Sequence, residues 1–354
     1  MFKDISSADR TIAIQRLTAL WALNECGLGG FLHAIQSPFT GLFVGSIAMI
    51  CIALICSFSE NKWQTVMTSL AIVLVIKALV SPHSAPTAYI AVVFQGVTGA
   101  LMYSYIPGLF FSSIFFLSLG LLESALQRLL TLTILYGNTL WEAINIWGTW
   151  VTDKWGIVLP FSSSRLIIGF YLGIHLFVGI MIGWFIYKIL IAIDKHWGES
   201  RFQLSLSKDE KKVFFNTGQK PKKSWGRYIF FVFLIVIIVF AYVGTGDKSD
   251  IQKGILAILR AVVILTLWFV FLAPFMIRLL QKWLTRKHQQ LAKEVSATMD
   301  MFPQLLWIID RSWKEARSQH NFSRLKTFIL HSFLYILQYK SYHDPDPDRS
   351  HTKP

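Results

Sequence analysis

The chain has 354 residues, 54% of them hydrophobic and only 15% charged, with 34 Lys/Arg against 20 Asp/Glu, a formal charge of +14 and a mean hydropathy of +0.49. A soluble domain carries about a quarter charged residues, so the composition excludes an ordinary water-soluble fold and indicates an all-α, polytopic membrane protein. Most of the positive excess sits in one connector and in the tail, where Lys and Arg mark cytoplasmic segments and attract anionic lipid headgroups, rather than a nucleic-acid partner.

Residues 1–16 carry Lys3, Arg10 and Arg16 and are expected inside. The first span, residues 17–35, mixes small residues with Asn24 and Glu25; Ala19, Ala22, Gly27 and Gly30 mark it as a helix-packing face rather than a lipid face. The second and third spans, 40–58 and 64–80, are joined by a polar inner turn and followed by an outer turn holding His83. The fourth, 87–106, contains Gln95; after Pro107-Gly108 comes the fifth, 109–135, polar on one side through Glu123, Gln127 and Arg128. Residues 136–164 read as a long outer loop rich in tryptophan, with Trp141, Trp147, Trp150 and Trp155, and residues 166–193 as the sixth span.

Residues 195–228 form the basic connector, in which Lys195, Arg201, Lys208, Lys211, Lys212, Lys220, Lys222, Lys223 and Arg227 outnumber Glu199, Asp209 and Glu210. Flanked by apolar runs, it is expected in the cytoplasm and outside any buried core. Two further spans, 229–243 and 254–280, bring the expected number to eight, with both termini inside. The tail from 281 is too polar to cross. In it Phe302, Leu306, Ile309, Trp313 and Ala316 recur at helical spacing. A second tail helix is expected after a cap at Ser323, its short apolar core lying on the membrane surface or against a partner. Residues 342–354, with alternating Asp and Pro, read as disordered.

Cys26, Cys51 and Cys56 lie in apolar segments without a paired motif and read as small buried hydrophobes. His33, His83 and His175 have no second ligand at metal spacing, and residues 244–249 lack the Gly-Lys pair of a phosphate loop. The ionisable residues within spans, Glu25, Lys77, Glu123, Arg128 and Arg260, are the chemical lead, because charge at bilayer depth is costly unless paired or wet. Lys77, Arg128 and Arg260 lie near helix ends, where long side chains also snorkel. Glu123 and Gln127 share a helix face. With Lys77, His83, Gln95, Arg128 and Trp141 they are the expected lining of an outward-facing solute site.

Six spans, a basic connector, two spans and a helical tail resemble the membrane components of an energy-coupling factor (ECF) transporter. Residues 1–194 look like a substrate-capture (S) component, and the small-residue first span is similar to the surface by which that component docks. Arg260, the run Met301-Phe302-Pro303-Gln304-Leu305-Leu306 and Glu315-Ala316-Arg317-Ser318 resemble motifs of the transmembrane (T) component, split here into a two-span hairpin (229–280) and coupling helices (281–341). The resemblance implies that Arg317, with Ala316, Trp313 and Ile309 beside it, docks on ABC-type ATPase subunits. ATP would then act through partners, with no cofactor bound directly and a separate T component as a further partner. It also implies a bacterial cell membrane location and uptake of a small, vitamin-like solute. Ser318 replaces the family's glycine, and the second such motif is absent. Two readings from other classes stand beside it: a scaffold recruiting a cytoplasmic protein, and a membrane enzyme acting on lipid through Glu142, Asp153 and Lys154.

Overall fold

In the computed structural model the described residues are 5–34, 40–81, 86–156, 158–203 and 289–339, with isolated positions 259 and 275. Every regular element among them is a helix. α1 (Ser7–Leu23) runs through a π-helical turn (Asn24–Leu28) into α2 (Gly29–Ala34). α3 (Thr40–Phe58), α4 (Lys62–Val80), α5 (Pro86–Tyr105), α6 (Leu109–Tyr136), α7 (Thr139–Trp155) and α8 (Ser163–Lys195) follow, then a short 3-10 turn (Ser200–Phe202). α9 (Gln289–Asp300), α10 (Phe302–Ala316) and α11 (Asn321–Gln338) form the tail. Among the described residues five helices, α3, α4, α5, α6 and α8, are long and apolar enough to cross a membrane. The expected spans 229–243 and 254–280, Arg260 and most of the connector lie outside the described residues.

α3 is the centre of the bundle. It carries no charge and is buried nearly all round, the pattern of a helix enclosed by other helices. α1, α4, α5, α6 and α8 all touch it. One stripe of α3 is built for close approach: a Cβ on Gly41 would collide with Ser124 of α6, and one on Gly45 would lie 3.2 Å from Gln95 Nε2 of α5. α6 and α8 form the tightest pair. Gly179 and Gly183 lie so close to α6 that a Cβ on either would stand 2.7 Å from the Cα of Ser118 or Ile114, the small-xxx-small device by which helices associate where water gives no hydrophobic drive. The other side of α8 leaves Phe170, Phe177 and Trp184 exposed, as a lipid-facing surface requires.

Several expectations are corrected. The tryptophan-rich stretch is no loop: residues 139–155 are helical, Asn145 accepts a hydrogen bond from the Ser164 backbone N–H at the start of α8 (2.9 Å), and Gly148 packs against Ser163. The first helix begins at Ser7, ten residues before its expected span, with Ser6 capping the Asp9 N–H. In the tail, α11 starts at Asn321 after His320, and Ser323 lies inside the helix donating to Gln319. The face that α10 buries is Leu305, Ile308, Ser312 and Ala316, whereas Leu306 and Trp313 are exposed. The connector also contributes to a core, because its first residues fold back and bury Phe202 between His331 and Tyr335.

α11 is held by this chain's own bundle. It packs on α1 and α8, at the bundle end formed by the start of α1, the α3–α4 turn and the end of α8. Phe333, Leu334, Ile336 and Leu337 are buried there. The Gly198 N–H donates to Gln338 (2.8 Å), and Trp197 packs on Phe58. α9 and α10 complete the cap against α1, and α9 reaches α4.

Candidate functional site

Within α1 the α-helical ladder gives way at Asn24, where the Gly29 N–H bonds back to the Asn24 carbonyl five residues earlier. Such π turns are rare and are frequent at functional sites. Here the wider turn turns three consecutive residues, Asn24, Glu25 and Cys26, into the bundle. Glu25 meets Lys77 of α4 at 2.6 Å, and the two side chains are only 4% and 2% exposed. Lys77 does not snorkel: its carboxylate partner holds it inside, and its Nζ lies 5.9 Å from the centre of the Tyr89 ring on α5.

Two buried amides line the stretch of α3 on which the π turn packs. Asn24 Nδ2 donates to the Val44 carbonyl of α3 at 2.9 Å, while its Oδ1 is buried without a partner. Gln95 of α5, 4% exposed, stands against Gly45 at the next residue of α3, and its Oε1 is also unpartnered. Ser81, just past α4, donates to the Cys26 carbonyl at 3.4 Å. The result is a compensated charge pair flanked by two buried oxygens that lack hydrogen-bond donors, an arrangement costly in an apolar interior unless a ligand or water completes it.

Of the residues expected to line a solute site, the structure places Lys77 and Gln95 in this core. Glu123 and Gln127 are half-buried on α6, beside the Ser124 that meets Gly41, and the Glu123 Oε2 and Gln127 Nε2 atoms are buried without partners. Arg128 is exposed. Trp141 is half-buried and donates to Thr133 at 3.1 Å. His83 lies outside the described residues. The link between Glu25 and Lys77 escapes a reading along the chain, although each is the lone Asp/Glu/Lys/Arg of its apolar span, which is the signal that pairs them.

Ala19 and Ala22 are completely buried inside this chain's own bundle, whereas Gly27 is exposed and Gly30 half-buried. In the tail, Ala316 is buried and Ile309 half-buried. Trp313 packs on Phe328 with Arg324 over its ring, and Arg317 is exposed just beyond α10. Glu315 joins α10 to α11 by accepting from the Tyr335 hydroxyl at 2.8 Å. Burial, and then that carboxylate, push Tyr335 up to about 12. Glu142, Asp153 and Lys154 are exposed along α7, with Lys154 over the Trp150 ring.

Comparison with known protein families, curated proteins and solved structures finds no match to this chain.

Proposed function

We propose that this chain is a membrane subunit of an ATP-driven uptake transporter of the energy-coupling kind, taking up a small solute across a bacterial cell membrane. The observation that carries the reading is the Glu25–Lys77 pair, enclosed in an apolar bundle with the unpartnered Asn24 and Gln95 oxygens beside it. Ionisable residues facing the interior of a membrane bundle mark substrate or ion pathways as a rule. The pair belongs to the half of the bundle away from the tail. The end bearing the tail also bears the first residues of the basic connector, and the connector's positive charge supports a cytoplasmic side for it. Solute would then enter from outside to the paired charges, while α9–α11 would present Arg317 to an ATP-hydrolysing partner from inside.

Two measurements test this. ATPase subunits are expected to copurify with the wild type and not with Arg317→Glu; equal copurification removes the coupling role. Native mass spectrometry of chain extracted in mild detergent is expected to find a small molecule retained by the wild type and lost from Gln95→Leu. A wild type that retains none, in cells with no uptake defect on deletion, favours the scaffold reading.

A further inference from the structure

We propose that Arg16 is a positioning residue for the buried pair: held by the tail, it fixes the register of α1 that points Glu25 at Lys77. The inference rests on reading that pair as the functional site.

Arg16 and Glu25 belong to one helix, nine residues apart, or about 13 Å at 1.5 Å per residue. Leu17, Ala19, Trp21 and Ala22 between them are buried and packed, so the segment behaves as a rod. At its lower end Arg16, 3% exposed, donates to the Leu337 carbonyl at 3.0 Å and the Ile336 carbonyl at 3.5 Å, and its guanidinium lies 3.8 Å from the centre of the Tyr339 ring. Those carbonyls end α11, where the helix dipole favours a cation. Beside the packing of α9 and α10 on α1, the tail therefore holds α1 through a buried arginine.

At the upper end the rod meets the π turn. A π turn and an α turn differ by one residue of register, a rotation of about 100°, and a packed helix changes between such arrangements in a discrete step rather than by bending. In the π register Asn24, Glu25 and Cys26 all face inward. Release of Arg16 frees α1 to shift and relax toward the α register, which turns Glu25 away from Lys77 and carries Cys26 out of its buried position. Events at the tail are thereby read out at the charged site without the tail touching it.

The chain supplies its own reporter. Cys26 is in the π turn, whereas Cys51 and Cys56 are in α3, and all three are buried and free. Full-length protein in lipid nanodiscs would be treated with N-ethylmaleimide and each cysteine followed by peptide mass spectrometry. Arg16→Gln, and independently Tyr339→Ala on the tail side, are expected to speed labelling of Cys26 several-fold while Cys51 and Cys56 keep their wild-type rates; Arg16→Lys should fall between. Unchanged Cys26 labelling in either Arg16→Gln or Tyr339→Ala overturns the proposal. Parallel acceleration of all three cysteines also overturns it, since that is general loosening. The labelling does not depend on transport, so it stands or falls separately from the uptake reading.

Discussion

Two polar regions among the described residues are built in opposite ways. Among the described residues the charged core rests on one ion pair, Glu25 with Lys77, sealed from solvent. The tail clasp spreads its hold over many contacts, from the buried Arg16 and Phe202 to the part-buried Tyr335–Glu315 bond and the exposed Gln338–Gly198 bond. A buried pair is intolerant because removal of one charge strands the other, whereas an exposed ion pair contributes little because water and salt already compensate it. Concentrated interaction belongs where a site must switch, and distributed interaction where a module must stay attached.

That contrast is sharpest for single substitutions. Lys77→Met leaves the Glu25 carboxylate uncompensated and is expected to lower stability by about 3–5 kcal/mol, read as thermal unfolding in nanodiscs. Gly183→Leu comes next: its side chain would press into the α6 backbone, at a cost near the upper end for overpacking, about 3 kcal/mol. If Gly183→Leu were silent, the close α6–α8 contact would be wrong. Tyr335→Phe in the clasp removes one hydrogen bond, and a loss of about 1 kcal/mol is expected, with limited proteolysis reporting loosening of the tail alone. The same residue gives the clasp an alkaline limit. Its docked hydroxyl titrates at about 12 against an ordinary 10.0, so its contribution is complete below pH 10 and fades as pH rises toward 12. Glu60→Gln should do least, about 0.5 kcal/mol or less, because its partner Arg10 meets it at an 89% exposed carboxylate.

What the chain discloses before folding follows from the range of each interaction. The apolar runs of α3, α4, α5, α6 and α8 are local signals, and their ends agree with the expected spans to within a few residues. α7 was hidden because its 17 residues are too short to cross and its tryptophans read equally as an interfacial loop. The buried stripe of α10 departs from the apolar periodicity because Trp313 and Leu306, the large apolar residues, face outward while Ser312 faces in. Span position alone sets Lys77 beside Glu123 and Arg128, but its partner is 52 residues away in sequence, across the α1–α4 contact. The grip of Arg16 on α11, over some 320 residues, has no local signature at all.

A charge swap at the buried pair tests the account most directly. Glu25→Lys and Lys77→Glu, each alone, should abolish the folded, monodisperse protein that size-exclusion chromatography recovers from membranes, and the double swap should restore most of it. Recovery as poor in the double variant as in the two singles would contradict a direct pairing of these residues and remove the site on which the functional reading stands.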